Sequence, residues 1–210
     1  RLKAMVLNKY ENGFNLTLHE DSLNEPFAWN KAHNIFVCSM SDLFHKDVPD
    51  NFIERVFGTI EHTPQHRFQI LTKRAERMEE YFSVHKVPGN VWLGVTVEAQ
   101  NVKYRIDHLR NINACIRFLS CEPLLEDFGE MNLSGINWVI VGGESGSQAR
   151  PMQKTWVLNI KEQVEKQDAA FFSKQWGTWG SDGIKRNKHT NGKLLDGQVI
   201  QEMPAIHSME

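Results

Sequence analysis

Ionisable and hydroxyl side chains in this 210-residue chain concentrate directly after six short apolar runs. Three of these positions are glutamates, Glu98, Glu122 and Glu144, which follow three consecutive runs. Neighbouring parallel strands lie about 4.8 Å apart, so three carboxylates at one sheet edge would repel one another unless cations or ligand donors lay between them. Basic residues after the same runs can supply that compensation: Lys73, Arg74, Arg150 and Lys174.

Carboxylates interleaved with cations suit a zwitterionic or hydroxylated ligand. Carboxylates accept hydrogen bonds from an α-amino group or from ribose hydroxyls, while Lys and Arg bind a carboxylate or a phosphate. Two alternatives stay open at this point. The charges can form an internal salt-bridge network that only braces the edge. The three glutamates can also ligate Mg²⁺ or Mn²⁺ through oxygen, as in a metal-dependent hydrolase.

The six runs predict the strands of a parallel sheet. They are rich in β-branched and aromatic residues without alternation, as is typical of strands that helices cover on both faces. Amphipathic intervals at residues 48–63, 74–85, 102–112 and 155–167 predict helices between them. This βα order predicts an α/β barrel or open parallel sheet, whose ligand site lies at the carboxyl ends of the strands. The predicted strands are NIFVCSMSD, RFQILTKR, VWLGVTVE, CIRFLSCEP, NWVIVGGES and AFFSKQWG.

Composition predicts one domain with an extension. Residues 1–176 carry the βα pattern, and residues 177–210 form a Gly-, Trp- and Lys/Arg-containing extension in which Asp196-Gly197 predicts a hairpin over 193–200. The net charge of −2 offers no bulk attraction for a polyanion, so any nucleic-acid contact would be local. No apolar run approaches the roughly 20 residues of a membrane span and no signal peptide is recognisable, so we expect a cytoplasmic protein.

The cysteines and one glycine pair also bear on chemistry. Cys38, Cys115 and Cys121 are odd in number and lack metal-site spacing, so we expect reduced thiols without a disulfide framework. Gly142-Gly143 follows a predicted strand directly. Such a pair either lets a ligand approach the backbone or forms a tight turn.

The motifs together resemble a phage- and prophage-associated family of unsettled function that is related to the radical S-adenosylmethionine enzymes, with spore photoproduct lyase a distant relative. The resemblance covers nearly the whole chain. It rests on residues 34–45, Leu71–Arg74, Trp92–Glu98, Ser120–Leu124, Gly142–Gly146 with Arg150–Met152, and Phe172–Gly177.

The resemblance implies a partial parallel (βα) TIM-like barrel of the radical S-adenosylmethionine type, lacking its first strand and cluster loop. Members of the family hold a [4Fe–4S] cluster through three cysteines that precede the helix corresponding to Arg1–Met5. This motif does not occur in the chain, and we expect it upstream of Arg1. The chain's own thiols, separated by 77 and 6 residues, do not match a cluster motif. We therefore expect this polypeptide alone to be inert in radical chemistry.

The resemblance also implies roles for the residues at the strand ends. S-Adenosylmethionine would be bound by Ser41, Asp42, Lys73, Thr96, Glu98, Ser120 and Glu122. The substrate, for which the resemblance favours nucleic acid or a nucleotide, would be bound by Glu144, Arg150, Lys174 and Trp176. A noncatalytic phage binding protein that uses its aromatic tail as a contact surface is the remaining alternative.

Overall fold

A six-stranded parallel sheet forms the centre of the protein in a computed structural model, which describes residue 12 and residues 15–205. Each strand pairs with the strands that precede and follow it in the sequence, and the sheet curls into a half-barrel. The predicted parallel α/β fold is therefore confirmed, in the form of a partial (βα) barrel. The strands are β1 (Asn34–Val37), β2 (Arg67–Thr72), β3 (Val91–Thr96), β4 (Ile116–Cys121), β5 (Trp138–Gly142) and β6 (Ala170–Gln175).

The four predicted helices are present, each within two or three residues of its predicted ends. In α1, Pro49 occupies the position before the first helical residue, and the predicted apolar stripe, which includes Ile53 and Ile60, is buried. The third helix begins later than predicted because a 3₁₀ turn, Gln100–Val102, precedes it. The helices are α1 (Asp50–Glu61), α2 (Ala75–Val84), α3 (Arg105–Asn111), α4 (Lys154–Lys166) and a short α5 (Lys188–Asn191), and a 3₁₀ segment (Glu20–Ala28) precedes β1.

The predicted alternation of strands and helices fails between β4 and β5. Residues 122–137 contain no helix, yet they bury Leu124, Phe128 and Leu133 in the main core. Gln163 in α4 and Gln167 directly after it hold this connection, because Gln163 accepts a hydrogen bond from the backbone of Met131 and Gln167 accepts one from that of Leu133. An irregular loop with its own apolar anchors thus replaces the crossover helix.

The two faces of the sheet carry separate cores. The larger core lies between the sheet and the helices, where strand residues such as Ile70 and Leu93 meet Ile53 and Met78. The concave face carries a second, aromatic cluster of Trp92, Ile116, Phe118 and Trp138. The sheet can curl over this cluster because Gly94 leaves room beside it for the fully buried Phe118 ring.

The two outermost strands of the sheet, β1 and β6, differ in what lies beside them. Beside β6 the chain returns to form an antiparallel bridge between Phe172 and Gln201, and the amide of Ser173 donates to the carbonyl of Ile200 at 2.8 Å. Within the described residues, β1 pairs only with β2. Among the described residues, the sheet is therefore covered beside β6 and has no further strand beside β1.

The extension folds back on the domain through turns. Asp196 and Gly197 both have positive φ and connect an antiparallel bridge between Leu195 and Gln198. The helix expected at Arg1–Met5 lies outside the described residues. Among the helices that the structure describes, none has the length and apolar character needed to cross a bilayer.

Gly94→Ala should destabilise the protein, because the added methyl group would overlap the buried Phe118 ring. We expect a loss of about 1–3 kcal/mol in the free energy of unfolding, measured by urea denaturation. The matched control is Gly58→Ala in α1, where an added methyl group meets no atom within 4 Å. Helix propensity predicts that this control gains about 0.5–1 kcal/mol. Equal stabilities for the two variants would contradict the packing described here.

Candidate functional site

The carboxyl edge of the sheet brings Thr96, Glu98, Ser120 and Glu122 onto one face. Thr96 pairs with Ser120 in the β3–β4 register, and the amide of Val97 donates to the carbonyl of Ser120 at 3.0 Å. Because side chains alternate along a strand, the glutamates two residues further on follow on the same face. We call these four residues, together with Lys73 and Lys174, the mouth.

Glu98 is held between two cations. Lys73 Nζ lies 2.7 Å from Glu98 Oε1, and Arg105 from α3 donates to Oε2 at 3.0 Å and to the carbonyl of Thr96 at 2.8 Å. Burial raises the pKa of Glu98, but the hydrogen bond from Lys73 and the charges of Lys73 and Arg105 outweigh it and lower the pKa below its ordinary value. Glu98 therefore stays ionised near neutral pH.

Glu122 has one cation and one neutral donor. Lys174 Nζ lies 2.6 Å from Oε2, and the side-chain amide of Gln175 donates to Oε1 at 3.2 Å. Gly142 of β5 lies under the carboxylate, where an added side chain would press on it. Glu122 is thus seated on β5 and tied to β6, on the side of the mouth opposite Lys73.

Asp42 connects the loop after β1 to the end of β2. Its Oδ1 accepts hydrogen bonds from the amide of Phe44 and the hydroxyl of Thr72, and its Oδ2 accepts from the amide of Lys73 and the guanidinium of Arg74, at 2.7 to 3.1 Å. Four donors from the chain itself occupy the carboxylate. The geometry therefore gives Asp42 a bracing role, whereas the neighbouring Ser41 is exposed.

Glu144 and Arg150 form a separate pair. The guanidinium of Arg150 donates to both carboxylate oxygens at 2.9 and 3.1 Å, and the Arg150 amide adds a third bond at 2.9 Å. These bonds hold the pKa of Glu144 below its usual range. In the described part of the chain, no hydrogen bond or ion pair joins this pair to Glu98 or Glu122. The three glutamates therefore have three different sets of partners.

Close packing of the chain accounts for Gly143 and Trp176. A side chain at Gly143 would overlap the backbone of Trp176, and one at Gly177 would overlap the carbonyl of Glu144, so the glycines let β5 and the extension meet. Trp176 is buried, and its indole donates to the carbonyl of Leu194 at 2.8 Å. The structure does not bring Trp176 to the mouth.

The described cysteines lie at different places in the sheet. Cys38 follows β1, whereas Cys115 precedes β4 and donates to carbonyls at the opposite edge. Cys121 is completely buried, and burial raises its pKa to about 12. Among residue 12 and residues 15–205, no three His, Cys, Asp or Glu side chains are grouped so that they could hold a metal ion.

A cleft of about 830 Å³ lies at the amino edge of the sheet, away from the mouth. Its residues include His66, which is buried, and Arg67, whose guanidinium lies 4.7 Å from the centre of the Trp92 ring. In α/β barrels ligands bind at the carboxyl ends of the strands, which is the opposite edge, and this chain also has Glu98 and Glu122 there. We therefore locate the candidate site at the mouth.

Sequence reasoning did not identify Arg105 as part of the site. It lies within a segment whose apolar stripe predicts only a packed helix, and its pairing with Glu98 depends on how α3 folds back over β3. Arg105 is 9% exposed, and its Nε has no hydrogen-bond partner among the described residues. The sequence gives one sign of such a contact. Arg105 is a charged residue that lies between the strand end at Glu98 and Ile106, a residue of the apolar stripe.

Glu98 should make stability depend on pH in the acidic range. Its pKa is lower in the folded protein than the ordinary value of 4.5, so its stabilising contribution is present above that pH and is lost as the pH falls through the folded pKa. Each unit of difference is worth about 1.4 kcal/mol. Glu98→Gln should therefore lose less unfolding free energy than the wild type on acidification.

Urea unfolding across the acidic range measures this difference. Glu80→Gln, at an exposed position on α2, is the control and should follow the wild-type pH dependence. An acid-induced loss as large in Glu98→Gln as in the wild type would contradict the ion pairing seen at Glu98.

Comparison with known proteins gives a family but no activity. No curated protein and no solved structure matched the chain. A family model described as a protein of unknown function, DUF5131, matches residues 1–204, which is nearly the whole sequence. The chain thus belongs to the DUF5131 family.

Proposed function

We propose that the mouth binds S-adenosylmethionine and that the chain is the binding domain of a radical S-adenosylmethionine-like enzyme acting on nucleic acid or a nucleotide. The observation that carries the proposal is the pair of Lys–Glu contacts, Lys73–Glu98 and Lys174–Glu122, at the carboxyl edge of one curled sheet. The resemblance of the strand-end motifs to that enzyme group supplies the identity of the ligand. The family match supports no activity by itself.

In each pair the glutamate is mostly buried and the lysine is exposed. The side chains of Glu98 and Glu122 are 18% and 19% exposed, whereas those of Lys73 and Lys174 are 50% and 53% exposed. The lysine ends lie in solvent, and a cationic ligand group that replaced a lysine would restore the charge balance at the carboxylate. Arg105 and Gln175 would keep the carboxylates in place.

A zwitterion matches this arrangement. Its ammonium group can replace a lysine on the carboxylate, and the displaced lysine can pair with the ligand's own carboxylate. The Glu98 group has two cations and one anion, so one cation remains available for the ligand's carboxylate when the ligand's ammonium group binds Glu98. The Glu122 group has no excess charge, and its carboxylate and Gln175 amide suit the two ribose hydroxyls.

Apolar surface for the adenine ring lies beside β1. Phe36 is on the concave face, and Met40 follows the carboxyl end of the strand; they are 44% and 54% exposed. The aromatic residues deeper in the half-barrel are buried and would form the floor beneath the ligand. Burial of exposed apolar area by the adenine would add to the polar contacts of the mouth.

The described cysteines do not fit an iron–sulfur cluster, because Cys38 and Cys115 lie at opposite edges of the sheet and Cys121 is buried. We therefore derive no catalytic step through a cluster. Radical activity is proposed only for a polypeptide that supplies three further thiolates. The hydrolase alternative has less support, since Glu98, Glu122 and Glu144 each have separate cationic partners.

Isothermal titration with S-adenosylmethionine and with adenosine tests the assignment within the mouth. Glu98→Ala should weaken S-adenosylmethionine binding by about tenfold, the effect of a lost charged hydrogen bond, and leave adenosine binding unchanged. Glu122→Ala should weaken both ligands. Glu61→Gln, at the exposed carboxyl end of α1, is the control. Absence of S-adenosylmethionine binding to the wild-type chain, with folding intact, would refute the binding proposal.

Anaerobic reconstitution tests the enzymatic part. A longer gene product with three closely spaced cysteines before residue 1 should develop iron–sulfur absorbance and yield 5′-deoxyadenosine from S-adenosylmethionine after reduction. The 210-residue chain should do neither, because its described thiols are too far apart. If the longer product forms a cluster but never yields 5′-deoxyadenosine, the radical mechanism fails.

A further inference from the structure

A second cleft, of about 530 Å³, lies beside the mouth where the loop after β5 meets the extension. It is lined by Ser145, Gly146, Ser147, Thr178, Lys185, Arg186, Asn187, Lys188 and His189. Three of these residues are Lys or Arg, and none is Asp or Glu. This concentration of positive charge contrasts with the net charge of −2 of the whole chain.

The walls of the cleft are tied together by hydrogen bonds. Thr178 Oγ1 accepts from the amide of Gly146 at 2.9 Å, and Lys185 Nζ donates to the carbonyl of Ser147 at 2.7 Å. The amide of Arg186 donates to the carbonyl of Thr178 at 2.8 Å. The two loops that carry the cations are therefore braced against each other, partly by Lys185 itself, which lowers the entropic cost of binding a ligand.

Two of the cations have no acidic partner. Arg186 is neutralised by Asp182, which accepts from both ends of the guanidinium at 2.7 and 2.9 Å. Lys185 and Lys188 are exposed and, within the described residues, make no ion pair. Ser145 and Ser147 line the same cleft. Two unpaired lysines with hydroxyl donors match the chemistry of a phosphate group.

We propose that this cleft binds the phosphate backbone of a nucleic-acid strand. The cleft is open, and its two lysines without an acidic partner lie within four residues, one before α5 and one at its first position, so successive phosphates of a strand can use them. The cleft also adjoins the ends of β5 and β6, because Thr178 donates from its amide to the carbonyl of Glu144 at 2.9 Å. A strand held there passes beside the mouth.

The inference deepens the proposed function by narrowing its substrate from nucleic acid or a nucleotide to a nucleic-acid strand, and it rests on that proposal only for what the mouth binds. Phosphate binding itself depends on the cleft alone. The cleft and the mouth share none of their residues, so separate substitutions can test them.

Fluorescence anisotropy with a labelled, mixed-sequence single-stranded DNA, and with the RNA of the same sequence, tests the inference on the 210-residue chain. Lys185→Ala with Lys188→Ala should weaken binding by about tenfold at low salt. The slope of log affinity against log salt concentration should fall by about 1 to 1.5, as expected for two lost phosphate contacts on a single strand. Lys188→Ala alone should show a smaller loss and cannot disturb the Lys185–Ser147 bond.

The control variant is Lys161→Ala with Lys166→Ala, which changes the net charge equally on α4, where both lysines pair with glutamates of the same helix. It should retain wild-type affinity. Equal losses in both double variants, or unchanged binding in the cleft variant, would overturn the inference. Competition by AMP or inorganic phosphate as strong as that by the oligonucleotide would overturn the assignment to a strand and identify a mononucleotide site instead.

Titration of the cleft variants with S-adenosylmethionine separates the two proposals. We expect their affinity for S-adenosylmethionine to equal that of the wild type. If no protein binds S-adenosylmethionine but the lysine variants still lose DNA or RNA binding, the cleft proposal stands and the mouth proposal fails. If S-adenosylmethionine binds and the wild type has no affinity for either oligonucleotide, the reverse holds.

Discussion

The common direction of the six strands is the constraint on which the rest of this structure depends. Hydrogen bonding between parallel neighbours fixes which residues lie side by side, and alternation along each strand then decides which face every side chain occupies. At the carboxyl edge this register places Thr96 beside Ser120. The same alternation places Glu98 and Glu122, two residues further on, on the same face as Thr96 and Ser120.

The mouth combines mostly buried anions with exposed cations. The carboxylates of Glu98 and Glu122 are held from within the fold by Arg105 and Gln175, while the lysines reach them from the exposed side. An arrangement of this kind satisfies its charges in the free protein. We propose that a ligand of the same charge pattern replaces a weak internal pair. Under that proposal the bracing alternative would describe the free protein and the binding alternative the ligand-bound protein.

Strong local patterns made the elements predictable from the sequence. Apolar runs bounded by polar residues located the six strands, and an apolar stripe at helical spacing, such as that of α1, located each of α1 to α4. The four-residue α5 has no such stripe and was not predicted. The loop at 122–137 was not predicted to replace a helix, because its buried residues are anchored by glutamines in and directly after the distant α4. Helical periodicity describes contacts along one element and contains no information about such anchors.

The position of the candidate site could be predicted from the sequence, but the hydrogen-bond and ion-pair partners of its residues could not. Strand ends identified Glu98 and Glu122, since the carboxyl edge follows from topology. Arg105 contacts Glu98 because α3 packs over β3. Trp176 is buried, and its indole donates a hydrogen bond to the carbonyl of Leu194. Both contacts depend on three-dimensional packing between distant segments. Residue type alone could not distinguish the buried tryptophan from one that faces a ligand.

The outermost strands, β1 and β6, differ in whether a further strand could pair with them. At β6 the returning chain at Gln201 already occupies the backbone groups, whereas β1 has a neighbour on one side within the described residues. An additional strand would therefore find free backbone groups more readily beside β1 than beside β6. If it ran parallel to the others, its carboxyl end would arrive beside Cys38 and Ser41, so whatever side chains it carried there would complete the rim of the barrel opposite Lys174.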